Sequence, residues 1–428
     1  MQKETKKTPL HDWHVSHSAN MAVFGGYDMP LWYPSGAKQE HLTVLTNAGI
    51  FDTSHMAVIV VSGTEAFELL QLCFTRDLNA CVGKKRMPLE PGKCVYGVYL
   101  NEHGKVIDDA IVCQIERNLY MIVVNAGMGA EVAQHMAAHV NGKNVKINDL
   151  TDKMGKIDVQ GPMAARILMK VLTDPEKVFD NMPYFTFKGY FDKAFPLADT
   201  VRFVNGIPVL LSRTGYTGEF GFEIFVEPDY LIETWEMILT AGEDFDLISC
   251  GLAARDSLRA GAVLPLSHQD IGPWPFINNP WLFFALSFSA DGTGFTKKFI
   301  GDEALKNMDK DEYTHAFAGY DLRKVSAHDP AAYVLDSDGN EIGVVLTCVS
   351  DMAIGRHDDR IYSISSPDKP ANFNPRGLCC GFVKVKSKLT PCQIVELKDN
   401  RRKIKVMIVD DIRPNRTARR PIKEMLKV

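Results

Sequence analysis

Residues 94–115 read Cys-Val-Tyr-Gly-Val-Tyr-Leu-Asn-Glu-His-Gly-Lys-Val-Ile-Asp-Asp-Ala-Ile-Val-Cys-Gln-Ile. Two strand-like runs, Cys94 to Leu100 and Val106 to Ile115, flank a short turn that contains Gly104, which predicts a β-hairpin. Leu119 to Val124 follows as a third strand. Successive strand side chains point to opposite faces, so the adjacent acids Asp108 and Asp109 do not share a site. Asp109 shares its face with Ile107, Ile111, Cys113 and Ile115, whereas Asp108 sits with Val106, Ala110, Val112, Gln114 and Glu116. Asp109 is thus the carboxylate on the more apolar face, and Asp108 is expected on the wetter one. An acid in apolar surroundings loses solvation and must be compensated. Its pKa is expected above the ordinary value of about 3.9. A structural aspartate bonded to turn amides is the competing reading, and this stretch alone leaves both open.

Working outward, Met56 to Val61 predicts a strand, and Met128 to Val140 has Met, Ala and Val at helical spacing. Ile157 to Val159 predicts a strand and Ala164 to Leu172 a helix. Strands follow at Thr200 to Val204, Val209 to Ser212 and Glu223 to Val226. Helices are expected over Leu231 to Ala241 and Leu252 to Ala262. Pro273 to Pro280 breaks the pattern. From about residue 314 short strands and turns such as Asp336-Ser-Asp-Gly-Asn340 predict a separate, mostly β domain. Strands and helices mix without steady βαβ alternation, so the class is α+β.

Forty-eight Lys and Arg against 53 Asp and Glu leave a formal net charge of −5 over 428 residues. That balance argues against a generic polyanion binder, nucleic acid included. No apolar run approaches the ~18 residues of a membrane-spanning helix, and the N-terminus lacks the apolar core of a secretory signal. Nine scattered cysteines, with no CxxC pair, predict free and mostly buried thiols in a reducing cytoplasm. Phosphate-loop, dinucleotide and HExxH motifs are missing. His11, His14 and His17 are spaced to lie roughly on one helix face. No Cys or acid completes a metal set there, so an ordinary amphipathic helix is the favoured reading and no metal is expected.

Two further clusters carry chemistry. Arg213-Thr-Gly-Tyr216-Thr-Gly-Glu219-Phe-Gly-Phe-Glu223 has three glycines that let backbone approach a ligand closely. Glu223, beside Phe225, could hold a flat, NH-rich ring through two hydrogen bonds; a solvated face is the plainer alternative. In Gly251-Leu-Ala-Ala-Arg255-Asp-Ser-Leu-Arg259 the two arginines fall at i,i+4. Arginine forks onto carboxylates, and a surface salt bridge would explain the same pattern.

Together these segments resemble the aminomethyltransferase family, the T-protein of the glycine cleavage system. The resemblance runs in order through Thr8-Pro-Leu-His-Asp-Trp-His14-Val-Ser-His17, Phe51-Asp-Thr-Ser-His55-Met56, Asn101 to Asp109, Val123-Val-Asn125-Ala and Val159-Gln-Gly-Pro162. It continues through Gly215-Tyr-Thr-Gly-Glu219, Gly251 to Arg259, Phe299-Ile-Gly-Asp-Glu-Ala-Leu305 and Asp338-Gly-Asn-Glu-Ile-Gly343. It implies a three-domain cloverleaf ring with tetrahydrofolate in a central cavity. The expected domains are 1–55 plus 150–250 for folate binding, 56–149 plus 251–313 with the Asp109 strand and Arg255 helix, and a β-rich 314–428. The resemblance places Asp109 near the folate N5 and N10 atoms as the catalytic residue, Glu223 at the pterin, and Arg255 at the folate site. Tyr96, Asn125 and Tyr216 lie in matching segments and are expected to line it.

The implied reaction moves a one-carbon unit from the lipoyl-bound aminomethyl group of H-protein to tetrahydrofolate, with release of ammonia. The alternative is a tetrahydrofolate-dependent demethylase of a small methylated amine, sulfonium or methoxy compound. A non-catalytic folate-binding relative of the iron–sulfur maturation type is disfavoured, because Arg213 to Gly218 has no cysteine. Departures from the family pattern fall at Thr53, at Gly25-Gly26-Tyr27, in the C-terminal Ile412 to Thr417, and at Pro280 to Leu286. In the last, bulky apolar residues replace an acid, on the side of the site that meets the one-carbon donor.

Overall fold

The hairpin forms in the register its residues dictate, Cys94 opposite Cys113 and Val98 opposite Asp109. This computed structural model describes residues 5–274, 278–280, 282–308, 312–328, 330–358 and 360–427. Gly104 turns the hairpin at φ +71°, and a Cβ there would come within 2.7 Å of the Leu305 backbone nitrogen. Only glycine meets both demands.

The hairpin strands Lys93–Leu100 and Val106–Glu116 lead a five-stranded sheet, followed by Leu119–Val124, Ala57–Ser62 and Lys146–Asp149. A six-stranded sheet orders Phe187–Gly189, Leu210–Ser212, Gly221–Val226, Gly155–Gln160, Gly49–Asp52 and Ile248–Ser249. The tail closes into a six-stranded barrel between Tyr313–Gly319 and Lys403–Val409.

Each sheet buries its apolar alternation under helices. Ala66–Cys73 and Gly129–Ala137 cover the five-stranded sheet through Leu69, Leu70, Val132 and Met136. Ala164–Val171 and Leu231–Gly242 cover the six-stranded sheet, with Trp235 fully buried. That second core is closed by both ends of the described chain, Leu10 from one and Ile422 and Met425 from the other. Burying a side chain of this size contributes about 1.5–3 kcal/mol. The remaining faces of the two sheets meet through Cys94, Cys113, Ile115 and Met121 against Phe187, Leu210 and Phe225. The helix Leu252–Gly261 packs on the barrel through Ala260, against Ala316 and Phe382.

Arg413 ties these parts together. It is 1% exposed. Its guanidinium reaches Asp351 of the barrel at 2.6 Å, Glu219 at 3.1 Å and the carbonyls of Thr217 and Leu258 at 2.5 and 3.3 Å. His41 approaches the other Asp351 oxygen at 3.0 Å. The Asp351 carboxyl stays ionised: burial raises its pKa, but Arg413 and His41 more than offset that.

Three expectations need correction. Thr200 to Val204 is not a strand; it makes only isolated bridges, Arg202 with Pro208 and Phe203 with Leu172. Pro208 has no N–H to extend the pairing. Asp108 is not on a wetter face but 0% exposed. Its neighbours Ala110 and Val112 join the core beneath the helices, while Cys113 and Ile115 join the layer between the sheets. With both faces covered, alternation assigns sides but not wetness. The three histidines also separate. His11 bonds Asp28, His14 bonds Asp52 and Tyr33, and His17 stacks on Trp13.

Seven of the nine cysteines are buried, Cys348 is half-buried and Cys392 exposed, all as thiols. Cys94 and Cys113 lie 3.2 Å apart, sulfur to sulfur. Among the described residues no helix is long and apolar enough to cross a membrane. Residues 1–4, residues 275–277 within the pattern-breaking Pro273 to Pro280, and Trp281 of the apolar segment lie outside the described residues.

Candidate active site

The bulged end of the hairpin presents Asp109 to a large cavity while Asp108 anchors the strand from behind. Both Asp109 oxygens are held, one accepting from the Tyr96 hydroxyl at 2.7 Å and the other from Asn125 Nδ2 at 2.5 Å. Asp108 accepts from the backbone N–H and Nδ2 of Asn125 at 2.9 and 2.8 Å, and from the Ser267 hydroxyl at 2.7 Å. Asn125 therefore clamps the two acids across the strand. Burial, then the Asp108 charge, pushes the Asp109 carboxyl up to about 7, against the opposing hydrogen bonds of Tyr96 and Asn125. Asp109 is thus poised to change protonation near neutrality. The His268 imidazole, 3.5 Å from Asp108, is raised by that contact.

Glu223 faces Asp158 across the register of Gly221–Val226 and Gly155–Gln160. Between them lies Lys156, 1% exposed, with its ammonium 2.5 Å from Glu223 and 2.6 Å from Asp158. Arg255 reaches the other Asp158 oxygen at 2.7 Å. Burial would raise Asp158, but Lys156 and Arg255 hold it at about 2. Two cations thus match two carboxylates, which lets four buried charges persist. The Thr214 hydroxyl donates to the second Glu223 oxygen. Each carboxylate oxygen can accept twice, so Glu223 keeps acceptor capacity toward the cavity it lines. Arg255 lies 5.2 Å over the Tyr216 ring, whose hydroxyl is spent on the Pro265 carbonyl at 2.7 Å.

One cavity of about 2230 Å³ brings together Tyr96, Asp109, Asn125, Tyr216, Glu223 and Arg255. Ordinary small-molecule sites measure about 300–1,000 Å³, so this one has room for more than one reactant. Phe284, from the apolar segment, also lines it and packs on Tyr96 with ring centroids 5.3 Å apart. His55, in the same wall, is 3% exposed, and its buried Nδ1 has no hydrogen-bond partner.

The GCVT N-terminal domain family matches residues 10–274. An aminomethyltransferase of Geobacillus kaustophilus is 34% identical over 350 residues, 80% of this chain and 86% of the relative. One from Caldanaerobacter subterraneus is 34% identical over 344 residues, covering 80% and 83%. The chain belongs to the aminomethyltransferase family. Its fold agrees with the crystal structure of the glycine cleavage system aminomethyltransferase T of Bartonella henselae. The TM-score is 0.73 at 25% identity, over 97% of this chain and 99% of that one.

This aminomethyltransferase is therefore a one-carbon transferase of the T-protein type. Reading its sequence alone missed Lys156, Asp158, His55 and Ser267 at the site. Lys156 and Asp158 alternate with Ile157 and Val159 in a strand. Two charges at i,i+2 in such a strand are the signal that could have found them. Ser267 reaches Asp108 from a distant loop, and no local pattern announces it.

Proposed function

We propose that this aminomethyltransferase passes the one-carbon unit of a lipoyl-bound aminomethyl group on H-protein to tetrahydrofolate. The observation that carries this reading is the shared cavity, which joins a fixed, high-pKa Asp109 to Glu223 and Arg255. Tetrahydrofolate would supply the two nitrogens that bond the carbon, while the bonds of that carbon to the amine and to the lipoyl sulfur break, releasing ammonia and leaving the lipoyl group as its thiol. Glu223 offers charged acceptors to the N–H edge of the pterin, and Arg255, with one donor on Asp158, offers the others. Asp109 orients the folate and, as a carboxylate, stabilises positive charge developing beside it. Tyr96 and Asn125 keep its oxygens fixed, so little reorganisation is needed. We also propose three domains, 1–55 with 150–250, 56–149 with 251–313, and 314–428; the separate apolar clusters of the two sheets and the barrel support a three-part division. Nine unpaired thiols support a reducing cytoplasm as its setting.

Calorimetry with tetrahydrofolate tests the binding step. Glu223→Gln keeps the side chain's size and leaves Lys156 paired with Asp158. It is expected to weaken binding by about 1.5–3 kcal/mol, the usual loss for a hydrogen bond to a charged group. Wild-type protein that gives no heat above buffer would sink the proposal. So would turnover of methylated small molecules without ammonia release from a lipoyl-linked donor, which is the demethylase outcome.

The pH profile gives a second check. Asp109 is protonated below about 7 and charged above it. Because the carboxylate is the working form, kcat is expected to fall as pH drops through about 7. A flat profile between pH 6 and 8, in about that range, would contradict the role. For folding the sign is reversed: a raised carboxyl pKa favours the folded state at low pH, and that contribution is lost as pH rises through about 7.

A further inference from the structure

The five-stranded sheet carries a second cluster on its helix-covered face. Cys73 ends the helix Ala66–Cys73, and His135 lies on the helix Gly129–Ala137 with His139 one turn further on. Their ligand atoms lie within 4.8 Å of one another. His139 Nδ1 donates to the His135 carbonyl at 2.8 Å, which fixes the ring and leaves Nε2 as a lone pair. Buried His135 Nε2 has no hydrogen-bond partner. Neither does the Tyr99 hydroxyl, whose ring meets His135 edge-on with centroids 6.2 Å apart. Two orphaned polar atoms beside a thiol 1% exposed are costly without a ligand.

The geometry points to a zinc-binding site formed by Cys73, His135 and His139, outside the catalytic cavity. One thiolate and two imidazoles at i,i+4 are donors that tetrahedral Zn²⁺ accepts, with Zn–S near about 2.3 Å and Zn–N near about 2.0–2.1 Å. Small side-chain shifts bring the three atoms to that spacing. The fourth position falls to water or to the Tyr99 hydroxyl. Lys297, whose ammonium donates to the carbonyls of Gln71 and Phe74, caps the helix end beside Cys73 and faces the thiolate that metal binding creates. On binding, the Cys73 S–H proton leaves to solvent and the sulfur bonds to the metal. No residue here lines the large cavity. The site's role is to join the two helices that back the Asp109 strand.

The test uses the full chain stripped with a chelator and titrated with Co²⁺, then Zn²⁺. One equivalent of cobalt is expected to produce a thiolate charge-transfer band that zinc abolishes. Cys73→Ser should lose the band, and His135→Ala and His139→Ala should each weaken zinc binding at least about tenfold. Cys392→Ser, which removes the exposed thiol, should leave the band intact. Zinc should raise the melting temperature of the wild type and not of Cys73→Ser, while the two melt alike under chelator. No stoichiometric band, or a band that survives Cys73→Ser, would overturn the assignment.

Discussion

Asp109→Asn is expected to leave the fold intact and cut turnover by at least about 10²-fold, the scale for losing a positioned electrostatic group. The amide oxygen can still accept from Tyr96 or Asn125, so what disappears is the charge. Asp108→Asn should act differently. Asp108 is fully buried and takes three hydrogen bonds from Asn125 and Ser267. An amide there turns one acceptor into a donor facing donors, which should cost about 1–3 kcal/mol of stability. It also removes the charge that helps raise Asp109. The acid limb of kcat should therefore move to lower pH in Asp108→Asn, with less than about tenfold loss at the plateau. The measurement is kcat against pH under saturating tetrahydrofolate, with circular dichroism as the folding check. If Asp108→Asn loses more turnover than Asp109→Asn, the two roles are exchanged and the site assignment falls.

Arg413→Leu is expected to lower unfolding stability by about 3–5 kcal/mol. Removing one partner of a buried ion network leaves the others charged and stranded. Here Glu219 and Asp351, both nearly inaccessible, would lose the guanidinium, and the Thr217 carbonyl would lose its donor. Asp351 would keep His41 and the Ala353 N–H. Arg416→Ala is the control. Its partner Asp411 is 45% exposed, so the change should cost less than about 1 kcal/mol. Urea unfolding at neutral pH reads both. Equal effects of the two variants would mean that Arg413 holds nothing together.

How far the residues announced this arrangement depends on the distance over which each contact acts. The hairpin at 94–115 is legible, since period and turn chemistry are local, except for the bulge opposite Tyr99 and Leu100, past which Ile107 packs with the helix-covered core and not on the Asp109 face. Leu119–Val124 was bounded correctly for the same reason. Asp109 was legible as an acid on an apolar face, and its raised pKa follows from that. The burial of Asp108 is not legible, because strand alternation cannot report what covers each face. Glu223 and Arg255 stand out in the sequence, but the Lys156–Asp158 pair that sets their charge balance meets them from a strand distant in sequence. Arg413 sits in a segment notable only for departing from the family pattern. Its meaning is tertiary, set by carboxylates at 219 and 351 that no local window contains.

The closure of the six-stranded sheet's core by Ile422 and Met425 constrains how the chain can fold as it is made. Arg213, in the same region, donates to the carbonyls of Ala418 and Arg420. The barrel strands are therefore translated, and can pair, while an earlier core still lacks its last apolar side chains. Domains ordinarily mature from the N-terminus during synthesis. Here the earlier-made sheet waits for residues beyond 417 to leave the ribosome, and in that interval its apolar surface is open to chaperones.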